Sequence, residues 1–246
     1  MGDGTVINVN TENKKPFILG LVGLIGSGKD TVADYLVNVH GFRRESFAGT
    51  LKDAVSAVFG WDRILLEGRT TASREWREQV DLWWAERLHM PHLTPRWVLQ
   101  YWGTEVMRKG FHDDIWIASI ENKIRNLQDN VVISDCRFPN EIAAIKSSGG
   151  IVIRTKRGPD PAWFHAAEVV NGGPTQNLSW ASNKSVLDNY KVHASETAWA
   201  GTEFNHVLNN NGTMDELYSQ VDLLVSGIKN TSDLSQDLPA SKVNLT

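Results

Sequence analysis

The stretch GLVGLIGSGKDTVADYLV, residues 20–37, decides how this chain reads. Gly23 is followed, after four residues, by Gly28-Lys29, the spacing of a loop whose backbone amides wrap phosphate groups. The apolar run PFILGLVG leads into it and suits a strand buried on both faces. Behind it, DTVADYLVNVHGF has helical spacing at Val32, Leu36 and Val39 and a stop at Gly41. A strand, a glycine-rich turn and a helix N-terminus in this order make a seat for an anion. Gly23, Gly26 and Gly28 let the backbone close in, and Lys29 neutralises phosphate charge.

The next residue departs from the pattern. A Ser or Thr there would hold magnesium, but the chain has Asp30, with Thr31 one place later. Three readings stand: Asp30 ligates the metal, Thr31 does, or Asp30 simply favours the positive end of the helix. A second acid belongs to the same question. VVISD, residues 131–135, is an apolar strand ending in Asp135, the pattern in which a carboxylate orients magnesium or its water.

Arginines supply the third signal. Arg63, Arg69, Arg74 and Arg77 crowd one region, Arg96 and Arg108 follow on another helix, and Arg137 trails the VVISD strand. Arginine suits bidentate phosphate recognition, and phosphoryl transfer runs on positioning and charge neutralisation. Arg74, Arg96 and Arg137 are the expected clamps, with Lys52 also placed to face phosphate. Some of these arginines read as solvated surface charge. Trp83, Trp84, Trp97 and Trp102 read as core. Trp116 would lie near Gly103-Thr104 if their helices pack, and there it could stack on a base.

Composition bounds the rest. The 246 residues are 41% hydrophobic and 22% charged, with a net charge of −4, which argues against a broad nucleic-acid footprint. Cys136 is the only cysteine, so no intrachain disulfide forms and a cytoplasmic setting fits. No apolar run reaches the roughly 18 residues of a membrane span, and the first residues lack the apolar core of a signal peptide.

Residues 1–15 and 230–246 read as loose tails around one domain, 16–229. RRESFAG reads as a short strand. TLKDAVSAVFGW reads as a helix with Leu51, Val55, Val58 and Phe59 on one side. SREWREQVDLWWAERLHM reads as one helix, and Thr94-Pro95 opens another. DDIWIASIENKIRNL and NEIAAIKSSGG read as helices, IVIRTKR as a strand. Residues 158–192, rich in Gly, Pro, Asn and Ser, read as a long, partly ordered excursion, lid-like or a binding loop. NHVLNNNGTMDELYSQVDLLVSGI gives a strand, a turn at Gly212 and a last helix. Alternating strands and helices predict a parallel sheet covered on both faces, with ligands at the carboxyl ends of the strands.

Taken together, GSGKDTVADYL, FAGTLKDAVSAVFGW, PRWVLQYWGTE, DIW, VVISDCRFPNE and the HASE and NNNGTMDEL stretches resemble the phage deoxynucleoside monophosphate kinases, from about Phe17 to Ile228. The resemblance implies a P-loop NTPase fold, three layers α/β/α around a central parallel sheet. Helical insertions would bind the monophosphate (about 61–116) or act as a lid. It implies that Gly26, Ser27, Gly28, Lys29, Asp30 and Thr31 hold the ATP phosphates, with Asn210 to Thr213, including Gly212, near the adenine. Lys52, Asp53, Arg74, Arg96, Gly103, Thr104 and Trp116 would hold the deoxynucleotide. Arg137 and Glu141 would reach substrate or metal, and family members also carry Asp after the loop lysine. His193 and Glu196 match a family motif whose role the residues do not reveal.

The expectation is therefore a kinase moving the γ-phosphoryl of Mg-ATP to a deoxynucleoside 5′-monophosphate, with no polymer or membrane partner, as a monomer or homodimer in the host cytoplasm. Two rivals remain. One is a kinase of another small phosphorylated acceptor, such as dephospho-coenzyme A. The other is a nucleotide-dependent switch without an acceptor.

Overall fold

The computed structural model describes residues 16–173 and 177–236, with side chains through 228. Five parallel strands form one sheet: β1 (Ile18–Val22), β2 (Arg43–Glu45), β3 (Val131–Ile133), β4 (Ile151–Lys156) and β5 (His206–Asn209). Their order is β2-β3-β1-β4-β5. Register is set by Ile18 opposite Val131, Leu19 opposite Ile151, and Ile153 opposite His206.

The apolar runs are continuous because both sheet faces are buried. On β3, Val131 and Ile133 point into one core cluster and Val132 into the other. β4 divides in the same way between Val152 and Ile153. One face is covered by α1 (Lys29–His40) and α12 (Met214–Gln236) through Val32, Leu36, Leu217 and Val221. The other is covered by α2 (Gly49–Phe59), α7 (Ile115–Ile124) and α8 (Pro139–Ser147) through Leu51, Val55, Ile120 and Ile142.

Between α2 and α7 the chain builds a helical wall: α3 (Arg63–Glu67), α4 (Thr71–Glu78), α5 (Leu82–Arg87) and α6 (Pro95–Gln100). α6 continues as a π-helical stretch, Tyr101–Lys109. Thr94 caps α6 as expected, accepting from the Trp97 N–H at 3.1 Å, with Pro95 in the first turn. The stretch expected as one helix is two. Gln79 is extended, and Asp81 accepts from the Trp84 N–H at 3.1 Å and from Trp61 Nε1 at 2.7 Å, so it starts a new helix and pins it to the core.

The stretch 158–192, expected as a partly ordered excursion, is largely helical where it is described. It holds α9 (Phe164–Gly172) and α10 (Leu178–Tyr190), with Trp180 Nε1 donating to the Val170 carbonyl at 3.1 Å. α10 buries none of its residues, so it carries no apolar stripe for a sequence reader to see. A one-turn helix, α11 (Ala194–Thr197), follows. The expected tail at 230–246 is helical as far as Gln236; its remainder and the expected tail at 1–15 lie outside the described residues. Three other expectations fail on exposure. Val39, Val58 and Trp83 are 58%, 55% and 63% exposed, since each sits just beyond the edge of its helix's buried stripe. Among the described residues, no helix is long and apolar enough to cross a membrane.

Candidate active site

The glycine-rich loop joins the carboxyl end of β1 to the N-terminus of α1. Its backbone is left-handed at Gly26 and Gly28 and equally closed to larger residues at Gly23, with φ of 78°, 101° and 147°. A Cβ on Gly23 would lie 2.4 Å from the Thr155 carbonyl oxygen, so only glycine lets β1 leave the sheet beside β4. Lys29 Nζ donates to the Gly23 and Leu24 carbonyls at 2.5 and 2.8 Å. Burial, and next the charge of Arg137, lower the Lys29 ammonium to a pKa of about 8; Glu196 and Asp30 pull the other way.

In front of the loop lies a cleft of about 890 Å³ at the carboxyl ends of β1, β2 and β3. Most of the residues expected at the site line it: Gly26, Lys29, Asp30, Lys52, Asp53, Arg74, Arg96, Gly103, Thr104, Trp116, Asp135, Arg137 and Glu141. Six do not. Gly23, Ser27, Gly28 and Thr31 sit behind the loop or inside α1, Asn210 braces the loop from outside, and Gly212 precedes α12. A smaller cavity of about 110 Å³ borders the outer side of the loop between Gly26, Ser27, Arg154, Lys156, Arg157 and Asp160.

Opposite the loop, three guanidiniums gather. Arg96 Nε is 3.2 Å from a Glu78 carboxylate oxygen, and Arg74 donates to the Gly68 carbonyl at 3.0 Å. Arg77 is the member not singled out as a clamp from the sequence. Its Nη1 donates to the Leu66 carbonyl at 3.5 Å, its Nε is buried with no partner among the described residues, and burial followed by the charge of Arg96 lowers its pKa. Its guanidinium fills the space over Gly68, where a Cβ would lie 2.1 Å from Cζ. Three like charges held together with an unused donor suit an anion carrying more than one negative charge.

Beside them, Lys52 and Arg63 converge on Glu67, with Lys52 Nζ 2.7 Å from the carboxylate; Arg63 also holds Asp53 at 2.6 Å. Burial pushes the Glu67 carboxyl up, but the two cations outweigh it and hold it at about 2. Lys52 and Asp53 are thus each already paired in the cleft wall.

The acids expected to meet magnesium are also engaged. Asp135 accepts from the Phe47 and Ala48 N–H groups at 2.9 and 3.0 Å, fixing the turn into α2. Asp30 pairs with Arg44, which reaches Asp34 at 2.7 Å and donates through Nε to Ser134 Oγ at 3.0 Å. Arg44 was not foreseen, because nothing in a three-residue strand marks a long-range ion pair. Asp30 and Asp135 still face the cleft as hard oxygen donors. Magnesium arriving with phosphates needs only one or two carboxylates, so this donor set fits it.

Two other expectations change character. Trp116 does pack against the expected partner, donating Nε1 to the Gly103 carbonyl at 3.0 Å, but its 6% exposure leaves little ring face for a base. Glu141, 2% exposed, accepts from the Arg137 and Phe138 N–H groups at 2.8 and 3.1 Å and from Arg108. It shapes the turn that carries Arg137. Burial, and next Asp135, push its carboxyl up to about 7 against the pull of those donors.

No protein-family model matches the sequence. A protein assigned as a deoxynucleotide monophosphate kinase in Acanthamoeba polyphaga mimivirus is 32% identical, over 89% of this chain and 99% of that protein. The chain belongs to the deoxynucleotide monophosphate kinase family. A second relative is the deoxynucleoside-5′-monophosphate kinase of Escherichia phage T5, 27% identical over 50% of this chain and 69% of that one. Among solved structures, similarity extends to a shikimate kinase from Aquifex aeolicus (TM-score 0.41, 10% identity, 87% of this chain and 98% of that one). A dephospho-CoA kinase from Campylobacter jejuni scores alike (TM-score 0.41, 14% identity, with the same shares). The parallel sheet and the loop at the end of its central strand are the fold that this kinase family's sequence pattern predicted.

Proposed function

We infer that this chain transfers the γ-phosphoryl group of Mg-ATP to a deoxynucleoside 5′-monophosphate, giving the diphosphate and ADP. One observation carries the reading beyond the relatives' names. A single cleft holds a lysine-bearing phosphate loop on one side and the Arg74, Arg77 and Arg96 cluster on the other. A polyanionic donor and a phosphate acceptor each find a complementary wall. The α3–α7 stretch, about 61–116, then serves as the acceptor side.

The acceptor's phosphate oxygen is already anionic near neutral pH, so its attack on the γ-phosphorus needs no strong base. The bond to the bridging oxygen breaks, and ADP leaves with that electron pair. Lys29 and the loop amides neutralise charge on the migrating group, while Arg137 spans donor and acceptor. Arg74, Arg77 and Arg96 orient the acceptor. Asp30 and Asp135, with Thr31 behind them, are the oxygen donors for magnesium, which supplies charge neutralisation on the donor phosphates when bound. Viral relatives support action in the cytoplasm of a host.

The test is a coupled assay offering Mg-ATP with dAMP, dGMP, dCMP, dTMP, each ribonucleotide, dephospho-coenzyme A, and no acceptor. ADP release that depends on a deoxynucleotide supports the reading. Release without acceptor, or only with dephospho-coenzyme A, overturns it.

A further inference from the structure

Glu196 lines a cleft that the preceding reading fills with phosphates. A carboxylate in that place repels its ligand unless it is committed elsewhere. It is committed to Arg137, whose Nη1 lies 2.7 Å from Glu196 Oε1 and 3.2 Å from Ser195 Oγ.

The support behind this pair is itself hydrogen-bonded and anchored. His193 caps the turn, its Nδ1 accepting from the Ser195 N–H at 3.2 Å and facing Ser195 Oγ at 2.9 Å. With Nδ1 as acceptor, the Ser195 hydroxyl donates to it and offers its lone pairs to Arg137. The far end of α11 is tied to α9, where Asn171 Nδ2 donates to the Thr197 and Ala200 carbonyls at 2.7 and 2.9 Å. Trp199, 1% exposed among Phe164 and Phe204, locks the same segment into the core.

Arg137 needs such a hold. It shares the loop's neighbourhood with the Lys29 ammonium, and like charges push apart. Its backbone is fixed by Glu141, but its side chain is 40% exposed, so that without these partners the guanidinium could swing toward solvent. A partly buried ion pair is weak evidence for stability, because desolvation offsets its attraction. Here the pair instead decides where a cation points.

We propose that Glu196 is a positioning residue that holds the Arg137 guanidinium in the cleft beside Lys29, where it meets the phosphates of the bound nucleotide. This rests on the kinase reading for its rate consequences, but not for its binding consequences. Groups held on a packed element act only when their supports keep them within a fraction of an ångström.

The test is a double-mutant cycle of Glu196→Gln and Arg137→Ala. ATP binding is read by calorimetry, turnover by the coupled assay, and folding by thermal melting. Glu196→Gln should melt within about 2 °C of wild type, weaken ATP, and lower kcat by roughly 10- to 100-fold. Glu196→Asp, which keeps the charge, should recover much of both. In the Arg137→Ala background, Glu196→Gln should change neither by more than about twofold, because its effect passes through the missing guanidinium. Equal losses in both backgrounds, an unaffected Glu196→Gln protein, or a Glu196→Gln protein that melts well below wild type would each overturn the proposal. If wild type phosphorylates no deoxynucleotide, the kinase reading fails, while the ATP titrations still decide for or against Glu196.

Discussion

Asn210 donates its side-chain amide to the Ser27 carbonyl at 2.9 Å, joining the end of β5 to the back of the phosphate loop. Asn210 is itself held, its N–H donating to the Lys156 carbonyl at 2.8 Å. The outer strand therefore braces the loop without entering the cleft. Asn210→Ala should cost about 1–2 kcal/mol of stability, the usual effect of orphaning a partly buried carbonyl. It should weaken ATP more than the acceptor. Urea unfolding and separate KM values check this, and an acceptor-selective defect would contradict it.

At Gly23 the limit is steric. Gly23→Ala places a methyl against the Thr155 carbonyl in a backbone conformation that L-residues avoid. Strain of roughly 1–3 kcal/mol plus the clash should lower the melting temperature clearly and abolish ATP binding. A Gly23→Ala protein with native melting and native ATP affinity would refute the close approach.

Arg77 separates stability from function. Its burial among like charges opposes folding, so Arg77→Met should leave the melting temperature unchanged or raise it by about 2 °C. The same change should raise KM for the deoxynucleotide tenfold or more, the equivalent of about 1.5–3 kcal/mol for a lost charged hydrogen bond, and leave ATP binding intact. A large loss of stability with unaltered KM would reduce Arg77 to a structural residue.

Glu67 predicts an acid dependence. Its folded pKa of about 2 lies below the ordinary 4.5, so its contribution to stability is complete above pH 4.5 and fades as pH falls toward 2. The gap in urea midpoint between wild type and Glu67→Gln should be widest at pH 5–6 and narrow steadily below 4.5. A gap that stays constant or widens in acid would show that Lys52 and Arg63 do not hold the carboxyl down.

The sequence showed the fold where local chemistry and fold agree. Strand, glycine loop and α1 carry their own signals, as do the Thr94-Pro95 start and the VVISD strand. Exposure at Val39 and Val58 was missed because a helical stripe's edge depends on which neighbours arrive. The α9–α10 pair was missed because Asn177 caps and Trp180 anchors a helix that buries nothing. At the site, individual cations were visible but their partners were not. Lys52 with Glu67, Asp30 with Arg44, and Arg137 with Glu196 pair across 15, 14 and 59 residues. Such distances leave no local pattern.

The sheet order also bears on the protein's birth. β1, which carries the phosphate loop, lies between β3 and β4, and Phe17 is bonded to Asn130 across 113 residues. A ribosome delivers β1 long before either neighbour exists. The loop can take its shape only after β4 has been made and Thr155 stands behind Gly23. An apolar strand waiting that long is exposed to wrong pairing, so slow non-local closure is built into the position of the strand that makes the site.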